Sequence, residues 1–216
     1  MAQSDIKDRI ETQASLVLQN VQSSDATDIE LREIFQQLRQ INLTLNTSGG
    51  GGGGNSNQLF CEPRSSSYSY LTRVRDGFRF GTDVSTELCQ QQLTKAKNGL
   101  VCGPRSSSYA YIYNIATGEI IGTDVQISEC NSLIASSNRQ LVCKPRSSSY
   151  AYVAKIRDGQ QLGTDVQTDL CKEIISKSTN QLVCAPRSSS YAYITRIDTG
   201  DSIGSDLPIQ ECFNRL

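Results

Sequence analysis

Histidine and tryptophan are absent from these 216 residues, and the one methionine is the first residue. Without histidine, the commonest general base near neutral pH and the commonest zinc ligand are both missing. Net charge is missing too. The 21 Lys+Arg and 22 Asp+Glu leave −1, which lacks the basic excess of a general nucleic-acid binder. No run of roughly 18 apolar residues occurs, so no membrane-spanning helix is expected. With 20% charged and 37% hydrophobic residues, the composition is that of a globular protein rather than a disordered one.

What the chain does have is internal repetition. CEPRSSSYSY from Cys61, CGPRSSSYAY from Cys102, CKPRSSSYAY from Cys143 and CAPRSSSYAY from Cys184 recur with a period of 41 residues. A second cysteine follows each first one at +28: Cys89, Cys130, Cys171 and Cys212. The turn flanks have drifted (RDGFRF against ATGEII) while PRSSSY is identical in all four, a contrast that recent duplication alone does not leave.

One unit reads as β-β-β-α. Leu141-Val142-Cys143 is a short apolar run stopped by Pro145, as in an edge or first strand. Tyr150 to Ile156 is aromatic and β-branched, a second strand. Asp158-Gly159 signals a hairpin turn, with Asp76-Gly77, Thr117-Gly118 and Thr199-Gly200 at the equivalent places. A third strand returns through Leu162, and Asp165 is expected as the N-cap of a helix carrying Leu170, Cys171, Ile174 and Ile175. Pro208, two residues after Asp206, supports a helix start there. Units of about 40 residues cannot bury enough surface alone, so the four must share cores. The expected fold class is α+β, with repeats at 59–98, 99–139, 140–180 and 181–216. The first and last repeats are as regular as the middle two, and only four residues follow Cys212. That pattern favours a closed pseudo-fourfold ring over a linear array, which usually needs atypical caps.

Residues 1–47 differ from the repeats. Ile6, Ile10, Val17 and Val21 fall at roughly helical spacing, and Leu31, Ile34, Leu38, Ile41 and Leu45 run 3-4-3-4, the seam spacing of a coiled coil. About two heptads are present, which suits an amphipathic helix covering a neighbour, self-association, or docking on a protein partner. Residues 48–58 form a linker containing six consecutive glycines, Gly49 to Gly54. Eleven such residues span about 17–20 Å on average, so the helices are tethered to the repeats rather than fused to them. Residues 1–58 hold 4 basic and 7 acidic residues, net −3, and the repeats hold 17 and 15, net +2. Neither part is a strong electrostatic attractor.

Eight cysteines in four equivalent pairs suggest disulfides. No C-x-x-C pair exists, which disfavours zinc. Within-repeat bonds would join Cys61–Cys89, Cys102–Cys130, Cys143–Cys171 and Cys184–Cys212. Between-repeat bonds would join Cys89–Cys102, Cys130–Cys143 and Cys171–Cys184, leaving Cys61 and Cys212 to close a ring. The alternative is eight buried thiols. The start Met-Ala-Gln-Ser-Asp shows no basic or apolar signal-peptide region. Paired cysteines would then place the protein in an oxidising, extracellular or virion setting reached by another route.

If the segment after each proline is extended, Arg64, Ser66, Tyr68 and Tyr70 share one face, opposite Ser65, Ser67, Ser69 and Leu71. The strip recurs as Arg105, Tyr109, Tyr111; Arg146, Tyr150, Tyr152; and Arg187, Tyr191, Tyr193, and takes eight of the nine tyrosines. Tyrosine offers an apolar plate with a hydroxyl rim, and arginine a planar fork for anions. Four copies would bind a repetitive glycan or anionic polymer by avidity. Against that stands one recurring aspartate per unit (Asp83, Asp124, Asp165, Asp206), which could form with the arginine a buried pair locking neighbours, with tyrosine stacked on the cation. The serines could instead satisfy backbone amides after the proline.

Catalysis is not expected. The serines have no histidine base, and no lysine recurs to replace it. One carboxylate per G-T-D does not make a calcium loop, and no cofactor is implied. The leading expectation is a non-enzymatic structural or assembly protein, with a multivalent binding module as the alternative.

Overall fold

A computed structural model describes residues 58–216. The helical segment 1–47, with Leu31, Ile34, Leu38, Ile41 and Leu45, and the linker up to residue 57 lie outside the described residues. The described chain is four tandem units, each an antiparallel three-stranded sheet followed by a helix. The first holds β1 (Leu59–Pro63), β2 (Tyr68–Arg73), β3 (Val84–Ser85) and α1 (Thr86–Lys95). The second holds β4 (Leu100–Pro104), β5 (Tyr109–Asn114), β6 (Ile120–Gln126) and α2 (Ile127–Ser136). The third holds β7 (Leu141–Pro145), β8 (Tyr150–Lys155), β9 (Gln161–Gln167) and α3 (Thr168–Lys177). The fourth holds β10 (Leu182–Pro186), β11 (Tyr191–Arg196), β12 (Ser202–Pro208) and α4 (Ile209–Asn214). Among the described residues, no helix is long and apolar enough to cross a membrane.

Each first strand ends on its proline, and the PRSSS segment turns instead of extending. The Arg146 and Ser147 amides both donate to the Tyr150 carbonyl, at 2.9 and 3.2 Å. The Ser147 hydroxyl accepts from the amides of Ser149 and Tyr150. Ser65, Ser106 and Ser188 do the same in their units. Here a serine hydroxyl supplies the acceptor that a ladder would supply elsewhere. The expected two-faced strip therefore holds only from Tyr68 onward, where Tyr68 is exposed, Ser69 buried, Tyr70 half-buried and Leu71 buried.

The third serine sets the helix. Its carbonyl accepts from the first helical amide at 2.9 Å in every unit: Thr86 to Ser67, Ile127 to Ser108, Thr168 to Ser149, Ile209 to Ser190. That satisfies one of the four donors a helix start leaves open. The aspartates are not caps. Asp165 lies inside β9, and the N-cap is Gln167, without a side-chain cap bond. Among the described helices, only α1 has a side-chain cap, Ser85, which accepts from Leu88.

Disulfides join Cys61–Cys89, Cys102–Cys130, Cys143–Cys171 and Cys184–Cys212, each tying first strand to helix within one unit, with Cα atoms 6.0 Å apart. All eight sulfurs are thereby consumed, so none is left as a metal ligand. Cores are shared across units. One apolar cluster runs from Leu100 to Ile197 through the second, third and fourth units, and another joins Phe80 and Leu71 of the first to Val101 and Tyr113 of the second.

Units meet at a joint built three times from equivalent residues. Gly81, Gly122 and Gly163 have positive φ (83°, 84°, 84°), and a Cβ on them would stand 2.0, 2.4 and 2.2 Å from the carbonyl oxygens of Pro104, Pro145 and Pro186. Only glycine permits that conformation and that approach together. The hydroxyls of Thr82, Thr123 and Thr164 donate to the same three carbonyls at 3.3, 3.3 and 3.2 Å. From the end of the second strand in each of the first three units a buried polar side chain reaches into the next unit's turn. Arg73 donates to Ile115 and Ala116, Asn114 to Ile156 (2.9 Å), and Lys155 to Asp198 (2.8 Å). Ring closure would require this joint a fourth time, between Gly204 and Pro63. Among the described residues, nothing stands within 4 Å of a Cβ placed on Gly204.

Candidate functional site

The strip residues form four equivalent surface clusters. The turn after β1 presents Arg64, β2 presents Tyr68 and Tyr70, and Asp83 stands just before β3. Arg64 pairs with Asp83, and the same pair forms at Arg105–Asp124 (2.6 Å), Arg146–Asp165 (2.5 Å) and Arg187–Asp206 (2.6 Å). Partners lie 19 residues apart, inside one unit, so the pair does not lock neighbours as the sequence alternative had it. Nor is it buried. The arginine side chains are 53–59% exposed and the aspartates 22–30%.

Each of these guanidiniums is held charged above its ordinary range, first by the hydrogen bond to its aspartate. The facing tyrosine of β2 or its equivalent (Tyr70, Tyr111, Tyr152, Tyr193) adds to this. One guanidinium edge is thus spent on Asp while much of the group still faces water, a fixed cation beside a phenol. Tyr68, Tyr109, Tyr150 and Tyr191 stand out on the same strand face, 45–51% exposed, as rare large apolar groups on this surface. Tyr70, Tyr111, Tyr152 and Tyr193 are half-buried.

The expected stacking of the recurring arginine on tyrosine does not form among the described residues. Arg79 instead lies 4.1 Å over the Tyr70 ring while pairing with Glu62. Arg73 faces the rings of Phe78 and Phe80 at 5.1 and 5.8 Å. The middle serines Ser66, Ser107, Ser148 and Ser189 are exposed.

Sequence reasoning missed the joint residues. Their signal was available: positions 73, 114, 155 and 196 are polar in every unit while the next residue is Val or Ile, and a hydroxyl follows every recurring glycine. No family model and no curated protein matches this chain. The reading of function therefore stands on the chain's own geometry.

Proposed function

We propose that this is a non-enzymatic structural or assembly protein, a stiff row of four disulfide-clamped units displayed beside an N-terminal segment that self-associates or docks on a protein partner. The observation that carries it is the joint itself. Close glycine–carbonyl approach, a hydroxyl bond and a buried polar reach recur at all three junctions, so the units move together rather than as beads. The open surroundings of Gly204 favour a row over a ring closed by one chain. The N-terminal part of the reading rests on the 3-4-3-4 spacing of Leu31, Ile34, Leu38, Ile41 and Leu45. Sedimentation of the full chain against Leu38→Asp with Ile41→Asp tests it. The reading predicts an oligomer or a captured partner that these two changes remove. A chain of monomeric mass in both forms, with no partner retained, refutes it.

A second reading, multivalent binding of a glycan or anionic polymer, is favoured by the four exposed tyrosines beside four fixed cations. It predicts that a sulfated polysaccharide binds with an affinity that falls steeply with salt. Loss should be stepwise as Tyr68, Tyr109, Tyr150 and Tyr191 are changed to alanine. Binding unaffected by all four changes excludes it.

A further inference from the structure

The two ends of the row carry unmatched halves of the joint. On the exit face, Phe80, Ile121 and Leu162 are 0%, 5% and 3% exposed, covered by the following unit, whereas their equivalent Ile203 is 43% exposed. Gly204, with a positive φ (+74°) like the other three, has no described residue within 4 Å of a Cβ placed on it. Ser205 keeps the hydroxyl of Thr82, Thr123 and Thr164. Arg196 occupies the place of Arg73, Asn114 and Lys155, yet it is exposed and donates to no described residue from its guanidinium. On the entry face, Val101, Val142 and Val183 are fully buried and Pro104, Pro145 and Pro186 buried, while Phe60 and Pro63 are only half-buried. The positive φ of Gly204 also serves the bulge between β11 and β12, but within the described residues the last unit's own packing gives no partner to the Arg196 guanidinium and leaves Ile203 exposed. The joint asks for all four: the apolar side chain, the left-handed glycine, the hydroxyl and the cation.

We propose that a second copy of this chain seats on the exposed exit face, so that Ile203, Gly204, Ser205 and Arg196 of one copy meet Phe60, Pro63 and the Val74 turn of the next. Ser205 donates to the Pro63 carbonyl, as Thr164 does to Pro186. Arg196 reaches the carbonyls of Val74 and Arg75, as Arg73 reaches those of Ile115 and Ala116. The contact is head-to-tail, with different surfaces on its two sides. It therefore propagates as a filament or closes as a ring of several chains, according to the angle at each joint. This surface is independent of the N-terminal seam, and either could fail without the other.

The test exploits the two-sidedness. Sedimentation of the full chain is followed over a wide concentration range for wild type, Ile203→Asp, Phe60→Asp and a control, Ile120→Asp, which charges an equally exposed isoleucine (49%) outside the joint. All are made with and without Leu38→Asp and Ile41→Asp, so that association through the N-terminal segment is scored separately. Circular dichroism with disulfides intact checks that each is folded, and Ile203, already exposed, is the variant on which the fold depends least. Ile203→Asp and Phe60→Asp should each weaken growth by about 100-fold or more, since a carboxylate is driven into an apolar seat. Ile120→Asp should have no effect. Ile203→Asp mixed with Phe60→Asp should recover one joint, a doubling of mass that stops there. The proposal is overturned if Ile203→Asp associates like wild type, if Ile120→Asp is equally disruptive, or if the mixture stays monomeric. It is also overturned if cross-linking of the monomer joins residues 1–47 to the 203–205 face, because the chain's own N-terminal segment would then be the occupant.

Discussion

Adding one methyl group at Gly122 probes the joint directly. Alanine there must hold φ near +84° and place its Cβ 2.4 Å from the Pro145 carbonyl oxygen. The left-handed conformation costs an L-residue about 1–2 kcal/mol. Backbone on both sides of the overlap has to move, which overpacking studies place at about 1–3 kcal/mol. Gly122→Ala should therefore destabilise by about 2–5 kcal/mol. Gly204→Ala has a similar φ of +74° and open space around it, so it should cost only the conformational part, about 1–2 kcal/mol. Both are measured by urea unfolding of oxidised protein, at concentrations low enough that chains do not associate. The comparison cancels the backbone term, and the difference is the close approach between units. Equal losses in the two variants would show that the second and third units do not meet as described, and the rigid row would fall with that contact.

Other outcomes can be stated as compactly. Arg73→Ala removes a buried donor to two carbonyls of the next unit and should destabilise by about 2–4 kcal/mol. Arg196→Ala, at the exposed equivalent, should stay within about 0.5 kcal/mol in the same melts. Gln92 is 1% exposed with both amide atoms unpartnered, at the position that Leu133 and Ile174 fill in later units. Gln92→Leu should therefore raise stability by about 1–3 kcal/mol in urea titration. Changing Cys143 and Cys171 together to alanine opens a bridge with 28 residues of separation and should cost about 3–4 kcal/mol by the chain-entropy rule. The Asp76 carboxyl is held well below the usual carboxylate range, first by its hydrogen bonds from Arg73. Its ionised form favours the fold at neutral pH, and that contribution is lost as pH falls below about 4 toward the depressed folded value. Asp76→Asn should flatten this acid limb of a melting-against-pH curve.

Much of the unit was readable in residues alone, because strand period, turn glycines and the +28 cysteine offset are local signals. What went astray was local too, but depended on partners. Asp165 has the residue type and place of an N-cap. Yet β9 continues through Val166 to Gln167, and the Ser149 carbonyl has already taken the first helical amide, which leaves the carboxylate to Arg146. The fixed 19-residue offset of arginine and aspartate in all four units was the available clue to a pair within the unit. The serines were legible as amide acceptors, yet an extended strip looked equally consistent with alternating residue size. Junction geometry was the least legible. A 41-residue period says that neighbours touch, but the angle between them arises from side chains such as Thr123 and Asn114 meeting backbone that lies far along the chain.

The placement of the disulfides has a consequence for how such a chain changes over generations. Every covalent bridge begins and ends within one unit, and none straddles a junction. A gene that gains or loses one 41-residue segment therefore never strands an odd thiol, and the newcomer brings its own clamp and both contact faces. Length is the property selection can adjust most freely here, with no redesign of the parts.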